Sequence, residues 1–237
     1  MSQGKLILLP NLLDEGAEIE ASLPPSVALA VRKLQGIIAE SEKSARRYVR
    51  RFLSHDAMAA LPIRLLNEHT PKTDLDALLT PVLKGECWGV LSDAGLSCIA
   101  DPGADLVALA RKAGVAVEAI PGPSSILLAL QLSGLPAQRF SFHGYLPKEG
   151  AELEQKIVRL EREAREQNAS QVFIEAPYRS MKLFTALLQT LQSGTRLCVA
   201  ASLMSPQERV VSQTIATWRN GTFALGKEPT VFVVWAS

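Results

Sequence analysis

The sequence predicts an α/β protein built from two α/β domains. Short apolar runs alternate with helical patterns over about the first 134 of the 237 residues, which is typical of a mainly parallel sheet covered by helices. The most informative junction is residues 90–103, where an apolar strand at 89–91 runs into a loop of small, acidic and glycine residues. A helical pattern follows directly. Because such sheets bind ligands at the carboxyl ends of their strands, this loop predicts a small-molecule site.

The first half contains five predicted strands, each an apolar run that ends at turn-forming or polar residues. These strands are Lys5–Leu9, Gly36–Ala39 and residues 63–66, 89–91 and 115–120. The predicted helices are residues 26–34, 44–53, 73–83 and 104–113. Pro81 predicts a late kink or break in the third of these helices. Residues 14–25 are polar and end in proline, so they predict a loop.

The second half mixes hairpin-like strands with helices. Its predicted strands are residues 140–144 and 172–174, Arg196–Ala201, Arg209–Thr214 and residues 229–235. Its predicted helices are residues 124–132, 152–167 and 181–191. The boundary falls in the turn-rich stretch 114–122, which gives an N-terminal domain of residues 1–117 and a C-terminal domain of residues 118–237. No glycine- or serine-rich linker separates the halves, so we expect them to pack together.

Composition excludes several classes of protein. The chain is 47% hydrophobic and 21% charged, as soluble proteins are, and it has no apolar run long enough for a membrane span. The first five residues lack the basic start and apolar core of a signal peptide, so a cytoplasmic location is expected. Cys87, Cys98 and Cys198 are widely spaced and odd in number, which argues against a disulfide framework or a metal site. A net charge of +1 means that any RNA partner needs a local basic patch.

Three segments, in this order and spacing, carry a family resemblance. They are S-D-A-G-x-x-x-x-x-D-P-G at residues 92–103, P-G-P-S-S at 121–125 and G-L-P-x-x-R-F-x-F-x-G-Y-L-P at 134–147. Together they resemble the tetrapyrrole-methylase-like class of S-adenosylmethionine (SAM) methyltransferases. Within that class they are similar to the bacterial 16S rRNA (cytidine-2′-O)-methyltransferases. The resemblance implies two α/β domains with SAM in a cleft between them, usually in a homodimer, with ribosomal RNA of the small ribosomal subunit as partner and no membrane.

The same resemblance implies a set of cofactor-binding residues. Backbone donors in glycine-containing turns suit the SAM carboxylate, and acceptors or a carboxylate suit its ammonium group. The residues are Pro10, Ser92, Asp93, Ala94, Gly95, Ile99, Ser124, Ser125, Ala176, Glu228, Pro229 and Thr230. The alternative for Asp93 is a loop carboxylate that bonds nearby amides, but its place after a strand favours the cofactor. Asp101 is expected to brace the following turn or cap the next helix.

Transfer of a methyl group to a ribose hydroxyl calls for a general base, because this hydroxyl is a poor nucleophile at neutral pH. The candidates are Glu40, His69 and Glu175. Glu40 and Glu175 each follow a short apolar strand, and the alternative for both is a solvated strand-end carboxylate. Histidine as a residue type titrates near neutral pH, and the alternative for His69 is an ordinary loop histidine.

Substrate contacts are predicted at two places. A helical patch suited to RNA phosphates contains Arg46, Arg47, Arg50 and Arg51. The alternative for this patch is a solvated helix face. Arg179, next to Tyr178, is expected to clamp a base or adenine, and its alternative role is to cap carbonyl groups at the end of the sheet.

Four segments depart from the motifs of the family. The first loop, residues 11–14, is shorter than in the family and lacks a glycine, and residues 201–205 lack two charges. Ser41 and Lys43 replace an aspartate and an arginine, and Leu96 and Ser97 replace a threonine and a proline. These departures leave two further functions open. One is methylation of a corrin-like macrocycle or another small molecule, and the other is a SAM- or RNA-binding protein with weakened catalysis.

Overall fold

Within residues 4–237, which the computed structural model describes, ten strands form two five-stranded sheets. Residues 1–3, part of the stretch used for the signal-peptide expectation, lie outside the described residues. The chain divides into a first unit that ends at Pro123 and a second unit, Ser124–Ser237. The sequence-based boundary after residue 117 falls inside a strand, Ala116–Ala119, that pairs with Lys5–Leu9. That strand therefore belongs wholly to the first unit.

The first unit has a fully parallel sheet, as predicted. Its strands are β1 (Lys5–Leu9), β2 (Gly36–Ala39), β3 (Ile63–Leu65), β4 (Cys87–Leu91) and β5 (Ala116–Ala119), in the order β3-β2-β4-β1-β5. Its helices are α1 (Ile19–Ser22), α2 (Ser26–Val31), α3 (Glu42–Val49), α4 (His55–Ala60), α5 (Leu75–Leu83) and α6 (Ala104–Lys112). Ile37 packs with α2 and α3 and its neighbour Ile38 packs with α5, so the two faces of the sheet carry separate cores.

The strand order creates a switch point between β1 and β4. The chain runs from β1 across β4 to reach β2, and from β4 across β1 to reach β5. The two connections therefore leave neighbouring strands in opposite directions, and the carboxyl ends Leu9 and Leu91 are paired at this place. A crevice at such a point is where open α/β sheets bind their ligands.

In the first unit one predicted loop was wrong, one helix was missed, and the break offered as one of two alternatives at Pro81 is absent. Residues 14–25, expected to be a loop, contain the short helix α1, and α4 was not predicted at all. Pro81 neither ends nor breaks α5. A proline in a helix leaves the carbonyl four residues earlier without its usual donor. That carbonyl belongs to Ala77, and the Arg64 guanidinium donates to it instead, a contact that the sequence pattern does not reveal.

The second unit has a mixed sheet. Its strands are β6 (Phe140–Tyr145), β7 (Ser170–Glu175), β8 (Arg196–Ala201), β9 (Arg209–Thr214) and β10 (Thr230–Trp235), in the order β6-β7-β10-β8-β9. Its helices are α7 (Ser125–Leu132), α8 (Gly150–Gln167), α9 (Ser180–Thr190) and α10 (Ile215–Asn220). Only the β6–β7 pair is parallel, and the other three pairs are antiparallel, which agrees with the hairpin-like strands predicted for this half of the chain.

The last strand, β10, determines which loops of the second unit lie together. It lies antiparallel between β7 and β8, and its first residue, Thr230, pairs with Glu175 on one side and Ala201 on the other. The start of β10 therefore meets the carboxyl ends of both neighbours. Phe173 and Phe232 stack beneath this sheet with ring centroids 5.6 Å apart. No helix in the described residues is long and apolar enough to cross a membrane.

Candidate functional site

The loops after β1 and β4 are joined by one buried amide side chain. The Asn11 side chain donates from Nδ2 to the carbonyls of Ser92 and Asp93, at 2.9 Å each, and its backbone N–H donates to the Gly95 carbonyl at 2.7 Å. Asn11 Oδ1 in turn accepts the Leu12 N–H at 2.8 Å. This one residue therefore fixes the backbone of three predicted cofactor-binding residues.

Ser97 closes the same junction from the β4 side. Its hydroxyl lies 2.6 Å from the Leu9 carbonyl and 2.9 Å from the Val90 carbonyl and donates to them as a shared bond. Both carbonyls lie near the ends of strands, where the sheet ladder stops, and buried carbonyls need a donor. Pro10 also bridges to Leu96, so the loop of β1 is held at several points.

Pro10 is positioned from two further directions. The buried Tyr48 hydroxyl of α3 donates to the Pro10 carbonyl at 2.9 Å, and burial raises the pKa of Tyr48 so that it remains a donor. A Cβ added to Gly122 would collide with the Pro10 ring. The P-G-P turn is therefore glycine-containing because the β1 loop packs directly on it.

The loop between β4 and α6 has an unusual backbone. Gly95 and Gly103 have φ values of +70° and +137°, and Cys98 and Ala100 are left-handed at +68° and +69° without being glycines. A Cβ on Gly103 would lie 2.5 Å from Cys98 Sγ. Left-handed non-glycine residues cost energy and are retained where their surroundings force the conformation, which is common at ligand sites.

Three carboxylates lie around this loop. The Glu40 carboxylate, at the end of β2, accepts the Asp93 N–H at 3.0 Å. Burial raises the pKa of Glu40, and the nearby Asp101 charge raises it further. Burial also raises the pKa of Asp101, although a hydrogen bond with the Ser92 side chain opposes this. None of the ion pairs formed by the described residues includes Glu40, Asp93 or Asp101, so no cationic side chain lies within salt-bridge distance of these carboxylates.

Cys98 lies beside these carboxylates but is not a nucleophile. Burial, with the charges of Asp101 and Glu40, raises its pKa to about 11, so the thiol stays protonated at neutral pH. A protonated, half-buried thiol of this kind packs as a small apolar side chain. Of the other predicted residues in this loop, Ala94 and Ile99 are exposed.

In the second unit, the predicted cofactor residues Ala176 and Glu228–Thr230 lie together, because the start of β10 meets the carboxyl end of β7. The Glu228 carboxylate is held by Arg209, whose Nη2 lies 2.8 Å from both of its oxygens. The Thr230 hydroxyl donates to the Glu228 carbonyl at 3.0 Å. Of the two predicted serines, Ser124 caps α7 by accepting the Leu127 N–H at 3.4 Å, and Ser125 begins that helix.

Glu175, one of the three catalytic candidates, is committed to a local ion pair. Its carboxylate accepts the Ala176 N–H at 2.7 Å and the Arg179 guanidinium at 2.7 Å, and its side chain is only 1% exposed. Arg179 also donates to the Leu146 carbonyl at 3.5 Å. The pair therefore ties the loop after β6 to the loop after β7. By donating to the Leu146 carbonyl, Arg179 also has the alternative role considered for it, that of capping a carbonyl at the end of the sheet.

His69, another catalytic candidate, is exposed and lies 3.6 Å from the carboxylate of Glu68. It lines a cavity of about 470 Å³ at the carboxyl end of β3, together with Asn67 and Arg64. The strand order places β2 between β3 and β4, so Glu40 lies closer to the β4 loop than His69 does.

The four arginines predicted as one helical patch have different environments, and Arg50 and Arg51 lie just beyond the end of α3 at Val49. Arg46 donates to the Met58 and Leu61 carbonyls at 2.6 and 2.9 Å, and thereby holds the end of α4. Arg47 pairs with Glu15 at 2.5 Å, and Arg51 donates to the Glu15 carbonyl at 2.8 Å. Arg50 is exposed and is the member of the set best placed to meet a phosphate.

The comparisons with known proteins agree on one family. The profile described as Tetrapyrrole (Corrin/Porphyrin) Methylases matches residues 27–218. The chain is 34% identical over 195 residues to the ribosomal RNA small subunit methyltransferase I of Xylella fastidiosa strain Temecula1, which is 82% of this chain and 68% of that protein. The protein of the same name from Mycobacterium bovis is 32% identical over 230 residues, or 93% and 75% of the two chains.

Two solved structures are similar in fold. The methyltransferase CobJ superposes with a TM-score of 0.64 at 18% identity, covering 100% of this chain and 95% of CobJ. A uroporphyrin-III-C-methyltransferase from Thermus thermophilus gives a TM-score of 0.54 at 20% identity, covering 98% and 92%. At these identities the likeness establishes the fold alone.

The contacts of α3 predict unequal effects for its arginines. Arg46→Ala leaves the Met58 and Leu61 carbonyls without their donor and should lower the free energy of unfolding by about 1–2 kcal/mol. Arg50→Ala is the matched control and should change it by less than about 0.5 kcal/mol. Urea unfolding checks both values, and hydrogen exchange of the α4 amides gives the local readout. Equal effects of the two changes would contradict the structural role of Arg46.

The raised pKa of Asp101 predicts a pH-dependent effect of Asp101→Asn. The folded wild type holds a proton that the unfolded chain has released, so its stability falls as pH rises from the unfolded pKa through the folded one. The asparagine variant lacks this titration. Its stability relative to wild type should therefore be lowest at about pH 4 and increase toward about pH 7.

Urea unfolding at several pH values measures this difference. Asp56→Asn, at a fully exposed position on α4, is the control and should show little change with pH. A relative stability of Asp101→Asn that decreases as pH rises would contradict the assignment.

Proposed function

We propose that this chain, which belongs to the Tetrapyrrole (Corrin/Porphyrin) Methylases family, transfers a methyl group from SAM to a ribose 2′-hydroxyl of small-subunit ribosomal RNA. The chain is a methyltransferase, and members of its family use SAM as methyl donor. The RNA substrate is taken from the names of its relatives. The observation that carries the proposal is the grouping of Glu40, Asp93 and Asp101 at the β1–β4 switch point, where the Glu40 carboxylate accepts the Asp93 N–H at 3.0 Å and lies near the Asp101 charge.

The residues at this point fit SAM rather than RNA. SAM supplies an activated methyl group on a sulfonium cation, and it also carries an ammonium group. Glu40, Asp93 and Asp101 provide negative charge that a bound cation would stabilise, whereas RNA phosphates would be repelled. The glycine backbone at Gly95 allows close approach of a ligand to the chain. We also propose that Ala176 and Glu228–Thr230 of the second unit contact SAM, as the family resemblance implies.

Glu40 is the best-placed proton acceptor of the three candidates. Its raised pKa makes it a stronger base than an ordinary carboxylate, and its bond to the Asp93 N–H fixes its direction. Glu175 is occupied by Arg179, and His69 lies beyond Glu40 along the sheet edge. We therefore propose that Glu40 accepts the hydroxyl proton as the ribose oxygen attacks the methyl carbon and the electrons of the carbon–sulfur bond return to sulfur.

The RNA itself must be bound by local features, since the net charge of the chain is only +1. Arg50 is exposed and fits a phosphate contact, while Arg46 and Arg47 are engaged in the fold. Following the family resemblance, we also propose that the enzyme acts in the cytoplasm as a homodimer.

The loop backbone predicts an effect on SAM binding. Gly95→Ala places a Cβ 3.3 Å from Leu13 in a left-handed residue, so it should weaken SAM binding by about tenfold. Gly114→Ala is a matched control, because Gly114 has nearly the same φ, +74°, but no atom lies within 4 Å of its added Cβ. Titration calorimetry with SAM measures both. If wild type binds no SAM, the cofactor proposal fails; equal weakening in both variants would place the cofactor elsewhere.

The substrate proposal predicts a change in ribosomal RNA. A strain without this protein should lack one 2′-O-methylated ribose in its small-subunit RNA, and mass spectrometry of the nucleosides measures this. Wild-type protein should restore the methyl group and Glu40→Gln should not, because the amide keeps the acceptor for Asp93 but cannot take a proton. Unchanged ribose methylation in the deletion strain would instead favour a macrocycle or another small molecule as substrate.

A further inference from the structure

Two tyrosines of the second unit are unusually exposed. Tyr178 is 75% exposed and Tyr145 is 59% exposed, whereas Tyr48, the third tyrosine of the chain, is buried. The chain is poor in aromatic residues, at 5%. Large aromatic side chains are normally used for burial, so exposure of two of them at one place indicates a surface made for contact.

Both tyrosines lie at the same edge of the sheet. Tyr145 is the last residue of β6 and pairs with Ile174 of the parallel strand β7, and Tyr178 lies three residues beyond the end of β7. Arg179 joins their neighbours, because it bonds both the Leu146 carbonyl and the Glu175 carboxylate. Tyr145 and Tyr178 therefore both follow the carboxyl ends of two parallel strands whose loops are joined by Arg179, and this edge is where α/β sheets bind ligands.

The charges around the rings favour a stacked ligand over a purely ionic one. Lys182 pairs with Glu149, which cancels most of their charge. Lys148 is exposed next to Leu146–Pro147, and Met181 adds apolar surface at 39% exposed. Apolar and aromatic surface with one flanking cation matches an unpaired base and its phosphate.

We propose that Tyr145 and Tyr178 form a stacking surface for unpaired bases of the RNA substrate, with Lys148 beside it for a phosphate. The inference rests on the proposed RNA methylation and adds a binding site to it. Stacking of bases on aromatic side chains tolerates different sequences and does not depend on net charge, so it suits a chain that is nearly neutral.

Methylation kinetics with small ribosomal subunits or their RNA test the surface. Tyr178→Ala and Tyr145→Ala should each raise the KM for RNA by about tenfold, with kcat and SAM affinity unchanged. Tyr178→Phe should restore the wild-type KM, because phenylalanine keeps the stacking face. Phe140→Ala is the matched control, since Phe140 is 42% exposed at the opposite end of β6. It should leave the KM for RNA unchanged.

Salt dependence separates stacking from charge. The rise in the KM for RNA caused by Tyr178→Ala should be the same factor at low and high salt. Lys148→Ala should make the dependence of this KM on salt concentration shallower. A KM for RNA that stays at the wild-type value in both tyrosine variants would overturn the proposal. A loss of SAM affinity in these variants would also overturn it, because the rings would then stack on the adenine of SAM. A change of oligomeric state in sedimentation would overturn it too, because the rings would then lie in an interface between copies of the chain.

The proposed function can fail separately from this site. If wild-type protein does not methylate ribosomal RNA, the proposed reaction is wrong, and the surface is then tested by binding of a single-stranded cytidine-rich oligoribonucleotide. Loss of that binding in Tyr178→Ala, and its retention in Phe140→Ala, would still support the stacking surface. Equal binding by wild type and Tyr178→Ala would overturn it.

Discussion

The hydrogen bonds that tie the β1 loop to the β4 loop are the constraint on which the rest of the first unit depends. Parallel strands end together at one edge of a sheet, and the carbonyls at that edge need donors once the ladder stops. Asn11 and Ser97 supply these donors from the two loops themselves. These bonds hold the first half of the β4 loop, directly before Cys98 and Ala100, the two non-glycine residues that have a left-handed backbone.

Electrostatics follow from the same arrangement. The fold brings the ends of β2 and β4 together, so the carboxylates of Glu40, Asp93 and Asp101 must share one small region. The Asp93 N–H offsets part of this repulsion at Glu40, but no described cation does. A site of this kind attracts a cationic methyl donor and repels a polyanion. We therefore propose that different features hold the donor and the RNA acceptor: negative charge in the first unit for the donor, and exposed aromatic and basic side chains elsewhere for the RNA.

The sequence predicts what depends on local pattern and misses what depends on distant partners. Strand β2 and the loop after β4 were located correctly because apolar runs and glycines carry their own signal. Arg46 and Arg50 were predicted on one helix, and only the fold shows that Arg46 holds α4 while Arg50 lies just beyond the end of α3. The structural roles of Asn11, Ser97 and Tyr48 were also missed, since each bonds to backbone far away in the chain. Asn11 was visible only as a departure from the family motif.

The charges missing from residues 201–205 do not by themselves weaken the second unit. A lost charge destabilises a protein when its former partner remains buried and unpaired. Here Arg209 and Glu228 pair with each other, and Glu208 accepts the Met204 N–H at 2.8 Å. Within the described residues, the only buried side-chain polar atoms without a partner are those of Ser44 and Ser212, neither of them charged. The neutral sequence of this segment therefore leaves no buried charge without a partner among the described residues.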